Sequence, residues 1–417
     1  MKKPHIDHDG AVVERRHFLR LGAALGAGAA LGGIAGRALA AGSPATIDLP
    51  FANGLRQMAT FPQKRPLILL TNRPPQLETP FRVFNEGIFT PNDAFFVRYH
   101  WSGIPTNIDP HTYRVHVKGL VDKPLSLSLD ELKKMGPATI AAAHQCSGNS
   151  RGFANPRVNG GESGNGAMGN ARWTGVPLKK VLEKAGLKAG AVQVSFNGLD
   201  HPPLGDGPDF MKALDIDHAM DGEVMLAWSM NGADLPMLNG YPLRLIVPGY
   251  YGTYWVKHLS EITVLDKVLA NFWMAKAYRV PDNACACVAP GGKMTRSRPI
   301  GRFAIRSFLT SVLDGDTLPA GKATQLRGFA FDGGYGLVAV DVSPDGGQSW
   351  QRARLGEDHG KYSFREWTLP FTPAKTGPLA LKVRAFNRIG QTQPMDALWN
   401  PSGYMRNVIE TTHVTVA

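Results

Sequence analysis

Cysteine is scarce in this sequence, with three among 417 residues: Cys146, Cys285 and Cys287. The chain has no CxxCH motif, so we expect no c-type haem in it, and the lack of CxxC and HExxH argues against zinc. No GxGxxG opens a strand-to-helix unit, so a nucleotide cofactor has no support. A dense Lys/Arg helix is also missing, and we expect no nucleic-acid binding.

Long apolar runs are nearly absent as well. Leu21–Gly36 spans 16 residues but six are glycine, and a membrane-spanning helix needs about 20 mainly apolar residues. The adjacent Arg15 and Arg16 precede this run and Ala38-Leu39-Ala40 follows it, which favours a twin-arginine signal at residues 1–40 over an ordinary secretory signal or a disordered basic tail. We therefore predict export to a bacterial periplasm, with no membrane span in the mature chain.

The remaining length suffices for two domains. Residues 41–65 contain prolines and predict an extended N-terminal arm. In residues 66–284, β-like runs alternate with helical candidates such as Leu127–Met135, where Ser128 can cap the helix, and Leu178–Ala185. Alternating strand patterns broken by turns predict an Ig-like β-sandwich over residues 298–417. The predicted fold class is α+β, a mixed α/β domain followed by this sandwich.

Cys146 lies in the stretch AAAHQCSGNSRGF, among small and polar residues, with Arg151 five positions on. A nearby arginine favours the thiolate, so the cysteine is a candidate metal or cofactor ligand or a nucleophile, the alternative being an inert buried thiol. Cys285 and Cys287 are two positions apart, a spacing from which we expect no disulfide between them. The glycine-rich segment 160–170 predicts a flexible loop over the site.

Several cationic side chains interrupt apolar segments. Arg98 and His100 follow two phenylalanines in FFVRYH, Arg244 lies within YPLRLIVPG, and Lys257 follows Trp255 and Val256. Each alone is typical of the exposed face of a strand, but together they suggest buried cations, which need anions. The net charge of +12 also suits an anionic substrate or an acidic partner.

The ordered motifs FVRYH, HQCSGNSRG, FNGLD, YPLRLIVPG, FWMAKAYR and WNPSGYMRN resemble those of the sulfite oxidase family of molybdenum enzymes, and most of all its bacterial periplasmic sulfite dehydrogenases. The resemblance implies one molybdenum–molybdopterin per chain, bound in a sulfite-oxidase-type domain at 66–284. It also implies that the C-terminal sandwich is a dimerisation domain.

The resemblance assigns roles to individual residues. Cys146 corresponds to the thiolate that ligates molybdenum, and Tyr278 to the tyrosine near the metal oxo group. The anion-pocket arginines correspond to Arg98, Arg151 and Arg406. The cofactor-contacting positions correspond to His100, Asp200, Arg244, Thr253 and Lys257.

The activity implied is oxidation of sulfite to sulfate by oxygen-atom transfer, with electrons passed to a c-type cytochrome or a dedicated haem subunit. One alternative keeps the cofactor and acts on another sulfur compound, as a sulfane dehydrogenase of a thiosulfate-oxidising complex or a sulfoxide reductase. The others are a hydrolase with Cys146 as nucleophile and His144 as base, and a non-catalytic binding module.

Overall fold

The computed structural model describes residues 45–417. The predicted signal at 1–40 and the first residues of the predicted arm lie outside this range. None of the helices in the described part of the chain has the length and apolar character needed to cross a bilayer.

An antiparallel meander of five strands opens the described chain, and its first two strands come from the predicted arm. Its last pairing places Gln76 opposite Arg98, which fixes the backbone beside an anion-pocket candidate. The strands are β1 (Thr46–Asp48), β2 (Leu55–Ala59), β3 (Leu67–Thr71), β4 (Gln76–Glu78) and β5 (Val97–Arg98).

Two sheets follow, the first mixed and the second antiparallel, with four short α-helices around them in the described residues. The ten strands are β6 (Val115–Gly119), β7 (Leu125–Leu127), β8 (Ala138–Gln145), β9 (Met168–Pro177), β10 (Gln193–Gly198), β11 (Lys212–Asp215), β12 (Met225–Met230), β13 (Ala233–Asp234), β14 (Arg244–Ile246) and β15 (Leu259–Leu265). The helices are α1 (Leu129–Lys133), α2 (Leu178–Ala185), α3 (Ile216–Ala219) and α4 (Phe272–Ala275). One sheet has the order β11-β10-β15-β6-β7, and the other has β13-β12-β9-β8 with β14 beside β12.

Local sequence signals explain the two longer helices. Ser128 and Glu131 form the predicted capping box at the start of α1, in which each residue bonds the backbone N–H of the other. Helix α2 has the predicted bounds. It buries Leu178, Val181, Leu182 and Ala185, which lie on one face at helical spacing, and it ends at Gly186, whose φ is +72°.

The C-terminal region is a sandwich of two sheets, reached through the paired strands β16 (Arg279–Pro281) and β17 (Ser297–Pro299). Its strands are β18 (Arg306–Leu309), β19 (Thr317–Leu318), β20 (Thr324–Phe331), β21 (Leu337–Ser343), β22 (Gln351–Arg352), β23 (Arg354–Leu355), β24 (Arg365–Phe371), β25 (Gly377–Asn387) and β26 (Thr411–Val416). The orders are β18-β20-β24-β23 and β19-β26-β25-β21-β22. The predicted mixed domain followed by a sandwich is confirmed.

The sandwich packs directly onto the mixed domain. The rings of Phe84 and Phe329 lie 5.6 Å apart, and those of Phe81 and Phe308 also lie 5.6 Å apart. The larger apolar core therefore continues from the mixed domain into the first sandwich sheet. This contact brings C-terminal residues close to the Cys146 loop.

The expectation that Cys285 and Cys287 do not pair is wrong, because they form a disulfide. The intervening Ala286 has a φ of +50°, which turns the chain back and leaves the two Cα atoms 5.1 Å apart. That separation lies within the range a disulfide spans. Cys146 is therefore the one free cysteine among the described residues.

Candidate molybdenum cofactor site

Cys146 follows the last residue of β8, where a network of hydrogen bonds fixes the loop. Its backbone N–H donates to Ala167 O at 2.9 Å, and Asn149 Oδ1 accepts from the Ala167 N–H at 2.9 Å. The carboxylate of Glu78, which is fully buried, accepts from the backbone N–H groups of Gly164 and Gly166. The glycine-rich segment is thus bonded to the cysteine loop and to β4.

The same loops leave room for the side chain of Arg151. A Cβ on Gly148 would lie 2.6 Å from the Arg151 guanidinium, and one on Gly160 would lie 2.5 Å from it. Gly160 also has a φ of +117°, which other residues rarely adopt. These two glycines allow the backbone to approach the arginine closely.

A cavity adjoins Cys146. Eight of the ten predicted site residues line it, from five different parts of the chain: Arg98, His100, Cys146, Asp200, Arg244, Thr253, Lys257 and Tyr278. Of these, Arg244 is completely buried. Thus it does not take the exposed strand position that its sequence pattern alone would allow.

The cavity has an excess of positive charge. Arg98, Arg244 and Lys257 face one carboxylate, that of Asp200. Burial lowers the pKa of Lys257 to about 7, with Arg244 adding to the shift, and burial raises the pKa of Asp200. Burial also lowers the pKa of Arg244 to about 9. A bound anion would offset the free-energy cost of burying these cations, because it would supply the missing negative charge.

Tyr278 and His100 form a hydrogen-bonded pair at the cavity wall, between Oη and Nε2. Burial, with Arg98 as the next cause, holds the pKa of His100 well below its usual range, so the imidazole is neutral. Burial likewise raises the pKa of Tyr278, which keeps its phenol protonated. The His100 ring stacks on Phe210 at 3.8 Å, which fixes its plane.

The cavity wall carries several buried polar atoms that have no hydrogen-bond partner among the described residues. They belong to four residues and are His144 Nδ1, Ser147 Oγ, Arg244 Nε and Thr253 Oγ1. Buried polar atoms are seldom left unpaired because the loss of hydration is costly. Their convergence on a cationic cavity fits a polar, anionic ligand such as the phosphate-bearing pterin of the molybdenum cofactor.

The thiol of Cys146 is a soft ligand, suited to molybdenum as the cofactor's metal. Residues 45–417 contain no group of three or more His, Cys, Asp or Glu side chains arranged to hold a metal. A metal at Cys146 would therefore take its other ligands from the cofactor. The residues present fit that arrangement.

Arg151 and Arg406, the other two predicted site residues, line a neighbouring cavity. Arg151 also borders a smaller space with Arg98 and Cys146, so it connects the two regions. Its guanidinium lies 5.1 Å from the ring centroid of Tyr404, and that ring stacks on Tyr278 at 5.6 Å. Arg406 does not line the cysteine cavity.

Some residues at the site were not predicted from the sequence. Ser147 and Phe210 line the cavity, while Lys212 donates to Trp273 O at 2.7 Å and lies 5.2 Å from the Tyr278 ring centroid. Lys212 interrupts the apolar stretch FMKAL, the same signal that singled out Lys257. Tyr404 has no such signal, because only the folded chain brings it onto Tyr278.

The sequence comparisons agree with this site. Residues 101–273 match the family described as an oxidoreductase molybdopterin binding domain, and residues 297–416 match a Mo-co oxidoreductase dimerisation domain. Mitochondrial sulfite oxidase of Mus musculus is 34% identical over 371 residues, covering 85% of this chain and 67% of that protein. The NADH nitrate reductase of Spinacia oleracea is 31% identical, covering 82% of this chain and 39% of that protein.

A solved structure also has this fold. The sulfane dehydrogenase SoxCD from Paracoccus pantotrophus aligns with a TM-score of 0.69 and 26% identity, covering 85% of this chain and 87% of that chain. The alignment extends over both the mixed domain and the sandwich, because it covers most of each chain.

Proposed function

Since the chain belongs to the sulfite oxidase family of molybdenum oxidoreductases, we propose that it oxidises sulfite to sulfate and passes the electrons to a c-type cytochrome. The observation that carries this proposal is that the free thiol of Cys146 lines the same cavity as three cationic side chains and only one carboxylate. Sulfite oxidases of several animals are also similar over more than four-fifths of the chain.

The chain's own residues bind and orient the reactants. Cys146 would ligate the metal, while Arg244, Lys257 and Thr253, together with His100 and Asp200, would hold the pterin and its phosphate. Arg98 and Arg151 would hold the anionic substrate by charge-assisted hydrogen bonds, and Tyr278 would donate from its protonated hydroxyl. When bound, the molybdenum cofactor supplies oxygen-atom transfer and the change of redox state.

The proposed compartment is the periplasm and the proposed acceptor is a separate protein. Support for export is the paired arginine and the weakly apolar run that follows it. The lack of a CxxCH motif in this sequence supports a haem carried by another chain. A dedicated haem subunit and a freely diffusing cytochrome both fit this scheme.

A second candidate is sulfane oxidation. Its support is the structural similarity to a sulfane dehydrogenase over 85% of the chain. The two candidates share the cofactor and differ in the sulfur compound that reaches it.

A substrate panel tests the proposal. The protein, expressed with its own N-terminus in a host that makes the molybdenum cofactor, is assayed for cytochrome c reduction with sulfite and with thiosulfate. It is also assayed for oxidation of a reduced viologen dye by nitrate and by a sulfoxide. We expect sulfite to give the highest kcat/KM. Molybdenum-loaded protein that is inactive with sulfite but active with a sulfane donor would replace the first candidate by the second.

A further inference from the structure

Arg306, the first residue of β18, is a completely buried cation that reaches from the sandwich into the loops of the site. Its Nη1 donates to Ser150 Oγ at 2.9 Å, and its Nη2 donates to Asn165 Oδ1 at 3.2 Å. Ser150 precedes Arg151 in the chain and has a φ of +69°. Asn165 belongs to the glycine-rich segment. Arg306 therefore bonds both loops that surround Arg151.

The third contact of Arg306 is with Glu410, and Glu410 is shared with Arg406. The Glu410 carboxylate lies 2.8 Å from Arg306 Nη2 but 3.5 Å from Arg406 Nε. Arg406 Nε makes no hydrogen bond within residues 45–417, although it is buried. Glu410 therefore accepts a hydrogen bond from Arg306 but forms only an ion pair with Arg406, whose Nε keeps hydrogen-bonding capacity for another partner.

The charges of Arg306, Arg406 and Glu410 support the same conclusion. Two arginines share one carboxylate, so the group has a net positive charge beside the cavity that Arg151 and Arg406 line. Burial lowers the pKa of Arg306 to about 10, so it stays charged at neutral pH. Arg406 is partly buried and lacks a full counter-charge, which favours binding of an anion beside it.

We propose that Arg306 is a positioning residue for the anionic substrate. It hydrogen-bonds Glu410, which leaves only a longer ion pair between Glu410 and Arg406, and it fixes Ser150 beside Arg151, so that Arg151 and Arg406 both keep N–H donors for an oxyanion. This inference rests on the proposed function in that sulfite is the anion concerned. Without Arg306, Glu410 would pair fully with Arg406 and cancel its charge.

The first test is Arg306→Gln in the molybdenum-loaded protein. We expect KM for sulfite to rise about tenfold, the factor for loss of one charge-assisted hydrogen bond, while kcat and molybdenum per chain stay near the wild-type values. Sulfate binding, followed by calorimetry on the resting protein, should weaken by a similar factor. Wild-type affinity for both anions in a fully loaded Arg306→Gln variant would overturn the proposal.

A double variant separates this role from simple structural support. In Arg306→Gln/Glu410→Gln the carboxylate that would cancel Arg406 is also gone, so we expect most of the lost sulfate affinity to return. A purely structural role predicts that the second substitution weakens binding further. A double variant that binds sulfate no better than Arg306→Gln would therefore contradict the proposal.

The matched control is Arg327→Gln. Arg327 lies on β20 of the same sheet and donates to Asn85 O at 2.9 Å, which also joins the sandwich to the mixed domain, but it does not touch the site loops. We expect wild-type KM and sulfate affinity for this variant. An equal loss of sulfate affinity in Arg327→Gln would show that any contact between the two domains has the same effect. That result would overturn the specific role of Arg306.

Three further results would also bear on the role of Arg306. If Arg306→Gln does not fold, Arg306→Lys keeps the charge but cannot bond Ser150 and Glu410 together, and unchanged sulfate affinity in that variant would count against the proposal. If the wild-type protein does not oxidise sulfite, the proposed function fails, while sulfate calorimetry still decides the role of Arg306. Wild-type protein that binds no sulfate would overturn the inference itself.

Discussion

His258 illustrates how the residues around the site depend on burial. Its Nδ1 donates to Tyr241 O and its Nε2 accepts from the Tyr99 hydroxyl, both at 2.6 Å. The carbonyl can only accept, which fixes the neutral tautomer. Burial lowers the pKa of His258 to about 3, and the nearby charges of Lys257 and Arg244 act in the same direction.

This shift predicts a pH dependence of stability. Because the folded pKa of His258 lies below the ordinary value of 6.5, the unfolded chain binds a proton first as pH falls. The neutral His258 ring makes its full contribution to the free energy of unfolding above pH 6.5, and this contribution is lost between pH 6.5 and about 3. The loss amounts to at most about 1.4 kcal/mol per pH unit. We expect His258→Gln to lose less stability than wild type over that window, measured as the free energy of unfolding in urea. Parallel curves for the two proteins would contradict the assignment.

At the residue scale, the sequence indicated which side chains belong to the site better than it indicated where those side chains lie in the fold. The isolated cations Arg98, Arg244 and Lys257 all line the cavity, because a charge inside an apolar strand must either face solvent or find a partner. The roles assigned to these residues stay predictions. Arg306 could not be recognised in the same way, because its partners Ser150 and Glu410 are far from it in sequence and meet it only through domain packing.

At the scale of elements, the loop from Trp399 to Arg406 depends on one buried amide. Asn400 Nδ2 donates to Tyr404 O at 2.8 Å and to Ala286 O at 3.3 Å, while its Oδ1 accepts from the Tyr404 N–H at 3.2 Å. Asn400 thus joins this loop to the turn closed by the Cys285–Cys287 disulfide. It also sets the backbone of Tyr404, whose ring stacks on Tyr278.

We therefore expect Asn400→Ala to raise KM for sulfite and to lower the free energy of unfolding by about 2 kcal/mol, because it leaves several buried backbone groups unpaired. Steady-state kinetics and urea unfolding measure the two effects. Ser128→Ala is a suitable control: it removes the cap of α1, costs about 1 kcal/mol, and should leave KM unchanged. Equal KM values in Asn400→Ala and wild type would show that the loop does not act on the site.

The elements themselves could be predicted to different degrees. Helix α2 was predictable because its apolar spacing, its preceding proline and its terminal glycine agree. The disulfide was not, because the positive φ of Ala286 that brings Cys285 and Cys287 together has no signal in the residue types. The hydrogen bonds between the glycine-rich segment and Glu78 could not be predicted either, since 86 positions separate Glu78 from Gly164.

At the scale of the whole molecule, the sandwich contacts the site, and its family match predicts that two copies of the chain form a dimer. Residues 297–416 match a dimerisation domain, and Arg306 joins the same sandwich to the Cys146 loop. We expect the purified protein to sediment as a homodimer, with twice the mass of the processed chain. Sedimentation equilibrium over a range of concentrations, with and without a copurifying haem protein, measures this. A monomer at all concentrations would contradict the prediction.

The central claim is that Cys146 holds the molybdenum of a bound cofactor. The most direct measurement is molybdenum X-ray absorption on wild type and Cys146→Ser, with molybdenum and pterin per chain and sulfite-dependent cytochrome c reduction recorded on the same samples. We expect the variant to retain pterin, to lose one sulfur neighbour of the metal and to lose turnover. A Cys146→Ser protein with the wild-type sulfur environment and wild-type turnover would contradict it.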